Sequence, residues 1–137
     1  MVNALPLNGF RILVVEDNPR IVEMYSYALK KLAANSKDKR PIEIEVAGDG
    51  HSALAQLSQS EFSLVLTDLY MPVMDGFALV LKIRSDQRLQ NLPVVAISGG
   101  GKDAQDRALQ VGVDVYLQKP VKFVEVLATV KQLLHLG

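Results

Sequence analysis

Hydrophobic residues recur along the chain in two rhythms. Ile12–Val15 and Leu64–Leu66 are short apolar runs with no polar alternation, the pattern of strands buried on both faces of a sheet. Pro93–Ile97 and Val113–Leu117 predict two further strands. Ile42–Ala47 alternates instead, with Ile44 and Val46 on one side and Glu43 and Glu45 on the other, so it predicts a strand with one exposed face at the sheet edge. Between these runs the period becomes helical. Ile21, Val22, Tyr25, Ala28, Leu29 and Leu32 follow Pro19, a residue suited to a first helical turn. Ala53, Leu54 and Leu57 follow the turn Gly48-Asp49-Gly50. Phe77, Leu79, Val80 and Ile83 follow Asp75-Gly76, with Asp75 placed as an N-cap. Lys102–Val111 predicts a weaker helix with few large apolar groups. Val121–Leu136 predicts a last helix with Val124, Leu127, Val130, Leu133 and Leu134 on one face. Asn35–Pro41, polar and basic, reads as an exposed loop.

Five strands alternating with five helices imply an α/β fold, a single doubly wound parallel sheet covered on both faces. Right-handed crossovers then require the strand order to reverse once. The common flavodoxin-like solution is the order 2-1-3-4-5, with ligands bound beyond the carboxyl ends of strands one and three. On that order Glu16, Asp17 and Asp68 converge. Residues 1–9 read as a loose lead-in, and residues 10–137 as one domain.

Composition narrows the classes. The 137 residues carry 49% hydrophobic side chains, enough for one core and too many for a disordered chain. Fifteen basic and fifteen acidic residues cancel, so no global field recommends direct contact with nucleic acid. The absence of cysteine excludes disulfides and thiolate metal sites and agrees with a cytoplasmic location. The N-terminus lacks the basic and apolar regions of a signal peptide. No apolar stretch is long enough to span a bilayer, so no membrane partner is expected.

The candidate chemistry lies at the strand ends. Three carboxylates within a few ångströms repel by about 4 kcal/mol per close pair at an effective dielectric near 20, which either protonating one of them or binding a cation relieves. An all-oxygen cluster suits a hard ion, and Mg²⁺ is the physiological choice. Ser98 and Lys119, at the ends of strands four and five, rim the same crevice. Cation, ammonium and hydroxyl together make a site for a doubly charged tetrahedral anion, and Asp68 is the central candidate for its covalent acceptor, as an aspartyl phosphate. Taken singly, each residue has a blander reading. Asp68 can be a polar loop starter, Ser98 the start of a glycine loop, Lys119 a surface lysine and Tyr116 a half-exposed aromatic at the sheet end. His51 and His135 are read as surface positions.

Four segments in order, Val14-Val15-Glu16-Asp17, Asp68–Gly76 (Asp-Leu-Tyr-Met-Pro-Val-Met-Asp-Gly), Ala96-Ile97-Ser98 and Tyr116–Pro120, give the chain its resemblance to the response-regulator receiver domains of two-component signalling. The resemblance runs from Phe10 to Leu136. It implies that Asp68 takes a phosphoryl group from a phosphohistidine on a sensor histidine kinase or a histidine phosphotransfer protein. It also implies that Asp17, Asp68 and the carbonyl of Tyr70 hold Mg²⁺, with Glu16 acting through water. Lys119, aimed by a cis bond to Pro120, binds the phosphoryl group. Ser98 donates to it and moves inward, and Tyr116 swings in behind. Tyr70 and Gly100 are expected to line the path of an attacking water, and the face of helix four, strand five and helix five to carry the signal. Because no output domain follows in the sequence, the signal is expected to leave through a downstream protein partner, unless the chain is a piece of a longer one.

That reading is a switch, not a turnover enzyme. Three alternatives compete with it. A haloacid-dehalogenase-like Mg²⁺ phosphatase resembles Asp-x-Asp after the first strand, where this chain has Glu16-Asp17-Asn18. A nucleotide or flavin binder needs a phosphate cradle there, and Glu16-Asp17 would repel it. A degenerate receiver would be an interaction module independent of phosphorylation, and the flexible Ser98-Gly99-Gly100-Gly101 loop is its best support.

Overall fold

The computed structural model describes residues 2–37 and 39–136. Asp38, within the predicted Asn35–Pro41 loop, lies outside the described residues, as do Met1 and Gly137. The elements run β1 (Phe10–Val15), α1 (Pro19–Asn35), β2 (Ile42–Ala47), α2 (Gly50–Gln59), β3 (Leu64–Thr67), α3 (Gly76–Ser85), β4 (Val94–Ser98), α4 (Gly101–Val111), β5 (Val115–Gln118) and α5 (Phe123–Leu133). All strand pairs are parallel and the order is β2-β1-β3-β4-β5, the flavodoxin-like arrangement expected.

Strand alternation divides the core in two. Phe10, Ile12 and Val14 of β1, Leu64 and Leu66 of β3, and Val95 and Ile97 of β4 face α1 and α5, where Tyr25, Leu29, Val126 and Val130 meet them. Leu13, Val15, Val65, Val94 and Ala96 face the other way, onto Leu57, Phe77, Leu79, Val80 and Ala108 of α2, α3 and α4. Tyr116 packs with this second cluster. Each fully buried Leu, Ile or Val contributes roughly 1.5–3 kcal/mol. The central strands therefore dominate stability, and the residues just beyond them are held in fixed places.

Three helix starts carry side-chain caps, Asp75 among them as expected, while α4 and α5 have none. Asn18 accepts from the Arg20 amide, Asp49 from Ser52 and Asp75 from Ala78. Several boundaries differ. β4 begins at Val94, because Pro93 has no N–H for the ladder; its carbonyl accepts from Val65 at 2.9 Å. β5 begins at Val115: Val113 is buried, but its N–H bonds back to Ala108 at 3.0 Å and closes α4 beyond Gly112, which has φ +114°. In α5 the buried stripe is Val126 and Val130, and Val124 is 76% exposed; residue 124 sits on the far side of the helix from that four-residue stripe. The lead-in is docked, not loose. Asn3 bridges to Ser60 in parallel fashion, and the Arg11 guanidinium donates to the carbonyls of Ala4 and Glu61 at 3.1 and 2.9 Å. Among the described residues no helix is long and apolar enough to cross a membrane.

Candidate phosphoacceptor site

Adjacent β1 and β3 bring their carboxyl ends together. Val15 pairs with Thr67, and the Asp68 amide donates to the Val15 carbonyl at 3.0 Å. The two oxygens of Asp68 have different partners. Oδ1 accepts from the amides of Leu69 and Tyr70 at 2.7 and 3.3 Å, which locks the carboxylate plane. Oδ2 faces Lys119 Nζ at 3.4 Å. The same ammonium lies 3.5 Å from Glu16 Oε1, so one lysine bridges acids from two neighbouring strand ends. Lys119 is itself placed by its amide, which donates to the Ser98 carbonyl at 2.8 Å, and its bond to Pro120 is cis, as the resemblance implies.

Glu16 is almost wholly buried, and its Oε2 accepts from the Asp17 amide at 2.9 Å. Burial raises its pKa above the ordinary 4.5. The neighbouring carboxyls of Asp17 and Asp68 push the same way, while Lys119 and the Asp17 amide pull it down. Asp17 is exposed beside it. Glu16 thus lies beside both other acids, while among the described residues no three His, Cys, Asp or Glu side chains form a metal-holding group. Glu16 and Asp68 gather on the Lys119 ammonium, while Asp17 is exposed. The donor types still fit a hard cation. Asp17 and Asp68 offer carboxylate oxygens, and among the described residues the Tyr70 carbonyl accepts no hydrogen bond.

Ser98 ends β4, fully buried, and its Oγ has no hydrogen-bond partner. Such an orphan costs about 1–3 kcal/mol and calls for an explanation. Ser98 shares a sheet face with Ala96, which pairs with Tyr116 on β5. The Tyr116 hydroxyl reaches Gln118 Oε1 at 2.9 Å and the Ser98 carbonyl at 3.2 Å.

The loop after β3 forms the rim. Tyr70 is 56% exposed, with its ring edge-on to Phe77 at 5.8 Å and its hydroxyl beside Gly100. The Met74 amide donates to the Pro72 carbonyl at 2.8 Å across Val73, which has φ +67°, a strained γ-turn. Met74 then anchors the loop: its carbonyl accepts from Gly50 at 3.0 Å, and its side chain fills the space where a Cβ on Gly50 would lie.

Two residues of the site were not singled out in the sequence. Tyr25 belongs to the apolar stripe of α1, but its hydroxyl is near the acids. Its pKa is pushed up to about 12 by burial first, then by Glu16 and Asp68. Gln118 stands inside a quoted motif with no chemistry read from it. The sequence signal available was a polar residue one place before Lys119 on a strand end. His51 and His135 are exposed, as expected.

The crevice thus lies at the switch point of a 2-1-3-4-5 sheet, with one lysine bridging two acids. Residues 12–131 match the family model of the response regulator receiver domain, and the chain belongs to that family, whose members act in two-component signalling. It is 33% identical over 120 residues to chemotaxis protein CheY-3 of Vibrio cholerae, covering 87% of each protein. It is 34% identical over 119 residues to a gliding motility regulatory protein of Myxococcus xanthus, covering 86% of this chain but spanning only 14% of that protein's length. Its fold superposes with a TM-score of 0.80 on the receiver domain of sensor histidine kinase PA1611 of Pseudomonas aeruginosa, at 25% identity and covering 93% and 98% of the two chains. That structure has a magnesium ion coordinated in its active-site cleft.

Proposed function

We propose that the chain is a phosphorylation-activated switch, with Asp68 taking its phosphoryl group from a phosphohistidine of a histidine kinase or phosphotransfer protein. The observation that carries this reading is the division of labour in the Asp68 carboxylate. Oδ1 is tied to two backbone amides, and Oδ2 is presented beside Lys119. In the proposed step Oδ2 attacks phosphorus, the P–N bond to the donor imidazole breaks, and Lys119 neutralises charge on the transferred group. Asp17, Asp68 and the Tyr70 carbonyl would hold Mg²⁺, with Glu16 acting through water; the ion supplies further charge neutralisation on the phosphoryl oxygens. The magnesium in the cleft of the PA1611 receiver domain supports this assignment. The buried, unpartnered hydroxyl of Ser98 supplies the donor that a phosphoryl oxygen requires.

A groove of about 450 Å³ opens beside Lys119, lined by Ile21, Met24, Tyr25, Pro120, Val121 and Phe123. Its apolar lining next to the acceptor supports docking of the donor protein there. Treatment with acetyl phosphate and Mg²⁺, followed by intact mass, tests the reading. Wild type should gain one phosphoryl group, and Asp68→Asn none. Wild type that never gains mass would leave the chain as a phosphorylation-independent interaction module; an Asp68→Asn variant that is fully modified would move the acceptor elsewhere.

A further inference from the structure

Gln118 is exposed on the last residue of β5, yet both its side-chain oxygen and its nitrogen are hydrogen-bonded. Oε1 accepts from the Tyr116 hydroxyl at 2.9 Å and from the Gly101 amide at 3.0 Å, and Nε2 donates to the Lys119 carbonyl at 3.0 Å. The network fixes the amide's orientation. Exchanging oxygen and nitrogen would set a donor against the Gly101 N–H and an acceptor against a carbonyl. One side chain therefore ties together three parts of the site: the aromatic of β5, the first residue of α4 and the backbone of the phosphate-facing lysine.

We propose that Gln118 is a latch that holds Tyr116 and the β4–α4 loop in the resting arrangement, and so sets how readily the site accepts a phosphoryl group. This rests on the phosphoacceptor reading of Asp68. The Tyr116 hydroxyl has one hydrogen to give. It lies closer to Gln118 than to the Ser98 carbonyl, at 3.2 Å, so Gln118 is its principal acceptor. Gly101 has φ +72° and starts α4 only three residues beyond Ser98. Tying its amide restrains the segment that must move if Ser98 is to approach a group on Asp68. Displacing the Tyr116 hydroxyl or the Gly101 amide from these positions breaks the Oε1 contacts. Gln118 touches neither the acceptor oxygen nor the cation ligands; it is a positioning residue acting through Tyr116 and Gly101.

The test has two arms on the whole chain. Without any phosphodonor, Gln118→Leu should raise the hydrogen-exchange rate of the Gly101 amide about three- to tenfold, the scale of one net hydrogen bond, and shift the Tyr116 ring resonances. Gln118→Glu, which keeps the acceptor oxygens, should restore the Gly101 protection. With Mg²⁺ and beryllium fluoride as the phosphoryl mimic, Gln118→Leu and Tyr116→Phe should each tighten mimic binding about three- to tenfold, and the double variant should bind no tighter than either single one. An unchanged Gly101 exchange rate in Gln118→Leu, or additive effects of the two substitutions, overturns the latch. If the mimic binds no variant and not the wild type, the phosphoacceptor reading falls, and the Gly101 exchange rates alone decide whether the latch exists.

Discussion

The phenol oxygen of Tyr70 stands where a side chain on Gly100 would begin: a Cβ built there lies 2.7 Å from that oxygen and also collides with the Cβ of Ala104. The glycine is therefore required by a close approach, and the approach draws the Tyr70 ring against the loop after β4. If Asp68 carries a phosphoryl group, as proposed, the ring would cover a path by which water reaches phosphorus. Gly100→Glu should displace the ring and Tyr70→Asn should remove it. Each should speed phosphate release about three- to tenfold, equivalent to roughly 0.7–1.4 kcal/mol of barrier. Release is followed after the donor is removed. If neither substitution quickens it, Tyr70 does not shield the phosphate.

Both oxygens of Glu16 are engaged, one by Lys119 and one by the Asp17 amide, whereas Asp17 is exposed. Asp17 is thus the acid available for direct ligation. Asp17→Ala should weaken Mg²⁺ binding more than Glu16→Ala, whose loss is expected near the tenfold scale of an outer-sphere partner. Titration calorimetry with Mg²⁺ measures both. Equal and undiminished affinity in the two variants would remove the metal site from these residues.

The architecture was legible because its signals are local. The apolar runs at Ile12–Val15 and Leu64–Leu66 are short and unbroken, as central strands are, and the Glu43/Glu45 alternation marks a strand with one exposed face. Chain order then places Glu16, Asp68, Ser98 and Lys119 at one end of the sheet. Contacts between segments distant in sequence leave no such signal. Nothing local distinguishes Val113, which closes α4, from the first residue of a strand, or assigns Val124 to the exposed side of α5. The apolar spacing of Tyr25 conceals a hydroxyl whose surroundings come from three other elements. The Gln118 contacts depend on how the β4–α4 loop folds over β5. That Lys119 bridges Glu16 and Asp68 while Asp17 is exposed has no local signature either.

Val73 combines φ +67° with 85% exposure of a β-branched side chain. The loop holds it there through the Asp75 cap, the Gly76-to-Leu69 bond at 2.9 Å and the Met74 contact with Gly50. Such a residue stores about 1–3 kcal/mol of strain. Glycine would relieve it, at a loss of about 0.5–1 kcal/mol through greater freedom of the unfolded chain. Val73→Gly should therefore stabilise the fold by about 1 kcal/mol in urea unfolding. A destabilised variant would mean that the valine side chain contributes packing that outweighs its strain.

Glu16 gives the fold a pH dependence with a definite sign. Its pKa in the native protein is raised above 4.5, chiefly by burial, so the native state binds its proton more readily than the unfolded chain does. Its contribution to stability is fully present below the unfolded pKa and is lost as pH rises through the elevated native value. At neutral pH the buried carboxylate therefore opposes folding, even with Lys119 3.5 Å away. Glu16→Gln keeps an oxygen to accept from the Asp17 amide and removes the charge. Measured in urea without divalent metal, the variant should be more stable than wild type at pH 7, and the difference should shrink as pH falls toward 4.5. Asp17 and Asp68 remain in both proteins, so the comparison reports Glu16 together with its coupling to Asp68 and Lys119. A variant less stable than wild type at pH 7 would show that pairing with Lys119 outweighs burial. A difference that does not change with pH would show that the Glu16 carboxyl is not the group that titrates.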